Sequence, residues 1–79
     1  MNISIITAKV AEFVDGAKDV RCNGPLRGVW ECLATVDGKT KAVPFEPAGL
    51  YGVPRYGLYA DAPKSELWLA AQIAQELKK

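Results

Sequence analysis

Trp30-Glu31-Cys32-Leu33-Ala34-Thr35-Val36-Asp37-Gly38-Lys39-Thr40-Lys41-Ala42-Val43-Pro44-Phe45 is the stretch whose reading decides the fold. Asp37-Gly38 between two strand-like runs is a two-residue type I′ turn signal, because both central residues of that turn need positive φ. It predicts a hairpin of residues 28–36 with residues 39–45. A two-residue turn fixes the register, so opposed residues sum to 75. Trp30 then faces Phe45, Cys32 faces Val43, Ala34 faces Lys41 and Val36 faces Lys39. These residues share one face, mostly apolar, and the Trp30/Phe45 face is expected to pack against helices. Glu31, Leu33, Thr35, Thr40, Ala42 and Pro44 share the other, more polar face. Pro44 opposes Glu31 in a non-hydrogen-bonded pair, which suits an edge strand, so the 39–45 strand is expected to be an edge at its Pro44 end.

Outward from the hairpin, residues 3–15 read as a helix. Ile3, Ile6, Val10, Phe13, Val14 and Ala17 fall on one arc of a 3.6-residue period, with Asn2 as N-cap and Gly16 as the stop. The Ile-rich run 2–7 could alternatively form a strand. Residues 63–77 are rich in helix formers, with Asp61 or Ala62 as cap and Pro63 in the first turn. Leu67, Leu69, Ala70, Ile73, Ala74 and Leu77 make its apolar face. A third strand is needed on the free side of residues 28–36. Either the short run 19–22, closed by a turn at Asn23-Gly24-Pro25, or residues 56–60 could supply it. The expected fold is a single α+β domain over residues 1–79. It has a three-stranded antiparallel sheet with N-terminal and C-terminal helices on one face, in the order α-β-β-β-α.

Composition narrows the chemistry. The 79 residues contain no histidine and two cysteines, with ten basic residues against nine acidic ones. A chain without imidazole has no Ser-His-Asp or Cys-His nucleophile and no His-ligated metal, and two thiols are too few for a thiolate zinc site. Gly49, Gly52 and Gly57 do not form a phosphate-binding glycine motif. The carboxylate pairs Asp15/Asp19 and Glu46/Asp61 are the remaining acid–base candidates, the first solvated around a helix end. The reading is therefore of a non-enzymatic chain with no cofactor and no metal. Nothing resembles a signal peptide or an 18-residue apolar span, so a cytoplasmic protein without a membrane partner is expected, its two thiols reduced.

Candidate contact residues stand out more clearly. Trp68 projects with Gln72, Gln75 and Lys79, away from the apolar face of its helix. Residues 46–62 hold three glycines and all three tyrosines, Tyr51, Tyr56 and Tyr59, with Arg55 among them. Tyr, Trp and Arg present large rigid contact area with polar tips and are enriched in protein interfaces. The bland reading is packing: the tyrosine-rich stretch folding over Trp68 and lying on the sheet. The functional reading is a protein-binding module using Trp68, Tyr51, Tyr56, Tyr59 and Arg55, acting by occupying the surface of another protein or complex. Phages and mobile elements encode many small inhibitors of host machinery of this kind, anti-CRISPR proteins among them. A second reading is nucleic-acid binding through Arg27, Lys39, Lys41 and Arg55. A third is a homodimer joined through the outer sheet face at Leu33, Ala42 and Pro44 or through the edge strand.

The order α-β-β-β-α, Gly24-Pro25 ahead of a strand, the Asp37-Gly38 hairpin and Leu69-Ala70-Ala71-Gln72-Ile73-Ala74 in a final Ala-rich helix resemble the double-stranded-RNA-binding domain. The resemblance implies that family's layout of two helices on a three-stranded sheet. The departures fall where RNA would bind. Arg27 stands nearest the family's His, and Pro63-Lys64-Ser65-Glu66-Leu67 carries one lysine where a basic run opens the last helix. The tyrosine-rich insert is foreign to the pattern.

Overall fold

The computed structural model describes residues 2–47, 49–51 and 65–79. The element order is α1 (Ile3–Phe13), β1 (Lys18–Leu26), β2 (Val29–Val36), β3 (Lys39–Glu46), β4 (Gly49–Leu50) and α2 (Glu66–Leu77). The four strands form one sheet in the order β1-β2-β3-β4, with every neighbouring pair antiparallel. The expected α+β architecture is therefore present, with a short fourth strand added.

The β2–β3 hairpin has the register that the turn dictates, from Trp30↔Phe45 to Val36↔Lys39. Asp37 and Gly38 take φ of 53° and 77°, as the type I′ turn requires. The face expected to be covered is covered: Cys32, Ala34, Val36, Val43 and Phe45 are buried, with Trp30 half-buried beside them. Ile6, Val10 and Val14 from the α1 side and Leu69, Ala70, Ile73, Ala74 and Leu77 of α2 complete the core. α1 lies over β1, while α2 lies over β3 and β4.

Both helices begin at side-chain caps. Asn2 Oδ1 accepts from the Ile5 N–H at 3.3 Å, and Ser65 Oγ accepts from the Trp68 N–H at 3.2 Å. α2 thus starts at Glu66, not at residue 63; the expected caps Asp61 and Ala62 and the Pro63 position lie outside the described residues. The Glu66 carboxylate accepts from the Asn2 backbone N–H at 3.1 Å, joining the two helix starts. Hydrogen bonds from its own N–H and from Asn2 hold that carboxyl below its ordinary pKa. α1 stops at Phe13, two residues short of the expected end, because Val14 turns extended while its N–H still reaches Val10 O.

Two sequence expectations about the sheet need correction. First, β1 is longer than the run 19–22, and Asn23-Gly24-Pro25 is not the turn. The strand passes through these residues with a register shift between Asn23 and Leu26, and the chain reverses at Arg27-Gly28, whose φ values are 53° and 80°. β1 also fills the side of β2 that residues 56–60 could have taken; those residues lie outside the described set. Second, the Pro44 end of β3 is not the free edge. β4 covers it through Phe45↔Leu50 and Glu46↔Gly49, and the Tyr51 N–H donates to Pro44 O at 3.1 Å. The next bond in that ladder would need a Pro44 N–H, which does not exist, so pairing stops there. Among the described residues, nothing pairs with the outer side of β3 from Lys39 to Val43.

Candidate functional site

The β2–β3 register says which backbone groups that open edge presents. Residues flanking a two-residue hairpin turn form a hydrogen-bonded pair, and such pairs alternate along the ladder. Lys39, Lys41, Val43 and Phe45 therefore point their N–H and C=O groups at β2. Thr40, Ala42 and Pro44 point theirs outward. The Tyr51→Pro44 bond confirms that phase. Thr40 and Ala42 thus offer the donors and acceptors of an unextended sheet.

A groove of about 470 Å³ runs along this edge. Its lining includes Lys41, Ala42, Pro44, Leu50, Tyr51 and Glu76 of α2. Tyr51 follows β4 directly and is 57% exposed, which is unusual for a large aromatic ring. A second, smaller and more apolar cavity of about 270 Å³ adjoins it across Pro44, lined by Gly24, Leu26 and Trp30 among others. Leu26 is 77% exposed, the most exposed of the large apolar side chains described. Leu26 and Trp30 thus line one hollow and Tyr51 the other, with Pro44 lining both, while the Trp30 ring packs against the core on the helix-covered face.

The groove is lined by one charge of each sign, Lys41 and Glu76. The Lys41 ammonium donates to Leu77 O at 3.1 Å and Lys79 O at 2.7 Å, so it caps the C-terminal end of α2. Lys41 thereby lies against the end of α2, where the Lys79 ammonium pairs with Glu76 at 3.0 Å, while Lys39 stands exposed two residues earlier on β3. Lys41→Met keeps the aliphatic stem and removes both carbonyl bonds. It is expected to lower stability by about 1 kcal/mol, read as a reduced urea midpoint at constant slope, with Lys41→Arg close to wild type.

The residues singled out from sequence fare differently. Tyr51 is at the groove. Trp68 is half-buried against the core, with its ring edge 3.7 Å from where a Cβ on Gly49 would stand. Its helix position among glutamines does not leave it in water, because β4 folds beside it. Tyr56, Tyr59 and Arg55 lie outside the described residues. Of the residues weighed for nucleic acid, Arg27 sits in the β1–β2 turn, while Lys39 and Lys41 lie by the β2–β3 turn. The eight residues of β2 separate them, roughly 23 Å at strand rise, so they do not form one patch. Of the outer-face residues, Ala42 and Pro44 are exposed and Leu33 is half-buried. Asp15 and Asp19 are both exposed; Asp61, the partner considered for Glu46, is outside the described residues. Leu26, Trp30 and the outward backbone groups of Thr40 and Ala42 were not among the sequence candidates. The register arithmetic could have supplied Thr40 and Ala42, had the edge been placed at their end of β3.

Among the described residues, no three His, Cys, Asp or Glu side chains converge as a metal site, and no helix is long and apolar enough to cross a membrane. No family model matches the chain, and neither a curated protein nor a solved structure matches it significantly.

Proposed function

We propose that this chain is a non-enzymatic protein-binding module that accepts an extended, acidic segment of a partner onto the open edge of β3. The observation that carries the reading is the exposed Tyr51 ring, which lines one groove with Ala42 at the end of the outward-facing backbone of Thr40 and Ala42. Strand addition draws affinity from main-chain hydrogen bonds and specificity from side-chain pockets next to the edge. Here Tyr51, Leu50 and Pro44 supply the pocket. Lys39 and Lys41, on β3 itself, favour Asp and Glu in the part of the incoming strand that lies along Thr40 and Ala42, and steer its approach. Such a module acts by occupancy, as an inhibitor or an adaptor does.

The test is a selection from a random peptide library against the folded protein. Enriched peptides are expected to alternate β-branched or aromatic residues with Asp or Glu. Ala42→Pro removes only an outward N–H, leaving the bonds to β2 intact, as Pro44 already does two residues on. It is expected to weaken the selected peptides about tenfold or more, a loss of about 1.4 kcal/mol or greater. Tyr51→Ala is expected to weaken them by a comparable or larger factor, with stability changed by no more than about 0.5 kcal/mol. In hydrogen exchange, the Thr40 and Ala42 amides should slow only in the complex. Peptides that bind Ala42→Pro as tightly as wild type would refute strand addition at this edge.

A further inference from the structure

Cys22 and Cys32 sit directly opposite each other on β1 and β2. The pairing is of the side-chain-close kind. Cys32 turns its N–H and C=O toward Val43 on β3, so on its other side it faces Cys22 in a non-hydrogen-bonded pair. Such pairs bring Cα atoms to about 4.5 Å, inside the separation a disulfide spans. Both thiols lie on the helix-covered face. Cys32 is fully buried, while Cys22 is half-buried with Thr7 Oγ1 of α1 at 3.3 Å from its sulfur.

The alignment depends on one residue of bulge. Counting back from the Arg27-Gly28 turn, opposed residues sum to 55, as Leu26↔Val29 does, which would set Cys22 against Leu33. The shift between Asn23 and Leu26 lowers the sum to 54 and sets Cys22 against Cys32. A second shift lies between Lys18 and Arg21, so Arg21, Cys22 and Asn23 form a short paired island between two irregularities of an edge strand.

We propose that Cys22 and Cys32 form a reversible intramolecular disulfide, made by exchange with a low-molecular-weight disulfide such as glutathione disulfide, that locks β1 onto β2. The Cys22 thiolate attacks one sulfur of glutathione disulfide. The S–S bond breaks, one glutathione thiolate leaves, and a mixed disulfide forms on Cys22. Cys32 then gives up its proton and attacks the Cys22 sulfur, expelling the second glutathione. Two protein thiols are oxidised by two electrons in all, and their two protons end on two glutathione thiols. The division of labour follows from the surroundings. Hydrogen bonding from Cys32, helped by Thr7 and opposed by burial, lowers the Cys22 thiol to about 6, whereas the same contact and burial push Cys32 up. The more exposed sulfur is thus the attacking one, and the buried sulfur is the resolving one.

The experiment treats the folded protein with glutathione disulfide, quenches with acid, alkylates, and maps the peptides by mass spectrometry. The expected product is a monomer lighter by two hydrogens, with Cys22 and Cys32 linked, a raised thermal midpoint and slower exchange of the β1 amides, all reversed by dithiothreitol. Cys32→Ala should stop at a glutathione adduct on Cys22. Cys22→Ala should leave Cys32 unmodified until the protein is unfolded. A wild-type protein that stays folded and accumulates the Cys22 adduct without closing, forms cross-linked dimers, or keeps both thiols would overturn the proposal.

Discussion

Replacing Phe45 with alanine is expected to cost about 3–5 kcal/mol, the range for removing a fully buried aromatic side chain. Phe45 is the largest side chain in the core with no exposure, and it is paired with Trp30 on one side and Leu50 on the other. It therefore ties β2, β3 and β4 together under α2. A domain of this length has a total stability of roughly 4–12 kcal/mol at typical values per residue, so the substitution removes between about a quarter of it and all of it. The thermal midpoint should fall by more than about 12 °C. In urea, the midpoint followed by tryptophan fluorescence should drop with little change in slope. Phe45→Leu retains most of the apolar volume and should recover more than half of the loss. A loss below about 1 kcal/mol for Phe45→Ala would mean that the layer between β3 and α2 is not the main support of the fold.

Why this residue could be named before the structure, while others could not, comes down to how local the determining information is. Phe45 is placed by counting from a two-residue turn, and nothing distant can change that count. The two helices are likewise written in the 3.6-residue spacing of Ile6, Val10, Leu69 and Ile73. β1 is different. Asn23-Gly24-Pro25 and Arg27-Gly28 both have turn chemistry, and only the pairing with β2 decides that the first is a bulge and the second a reversal. That same bulge hides the Cys22–Cys32 pair, which no spacing rule anticipates. β4 has two residues, too few for any periodicity, yet it covers Pro44, brings Tyr51 to the groove and gives Trp68 a neighbour in Gly49. The site was legible as an aromatic surface residue, Tyr51. β3 was legible as an edge strand from Pro44, but at the wrong end, because β4, which covers Pro44 and leaves Thr40 and Ala42 outermost, is too short to show in the sequence.

Gly24→Ala is expected to cost about 2–4 kcal/mol, from two sources that add. Its φ of 128° lies where side chains are strained, a cost of about 1–3 kcal/mol for a non-glycine residue. A Cβ there would also stand 3.1 Å from Val29 O and 3.2 Å from Trp30 Cα, both backbone atoms of β2, with Trp30 Cε3 at 3.4 Å. Backbone in a paired strand cannot yield as a flexible side chain does, so overpacking adds about 1 kcal/mol or more. Gly28→Ala provides the contrast: its φ is 80° but no atom lies within 4 Å of the added carbon, so it carries conformational strain without collision. The difference between the two urea midpoints reads the close approach of β1 to β2 together with the harsher φ at Gly24. The chain has one escape from the Gly24 collision, which is to give up the bulge and pair β1 in the 55-sum register set by its turn. That slip would move Cys22 opposite Leu33 and turn the apolar face of β1 outward. Gly24→Ala should therefore also slow closure of the Cys22–Cys32 disulfide under glutathione disulfide, whereas Gly28→Ala should leave it near the wild-type rate. Equal midpoints and equal closure rates for the two variants would show that the bulge does not depend on the missing side chain at residue 24.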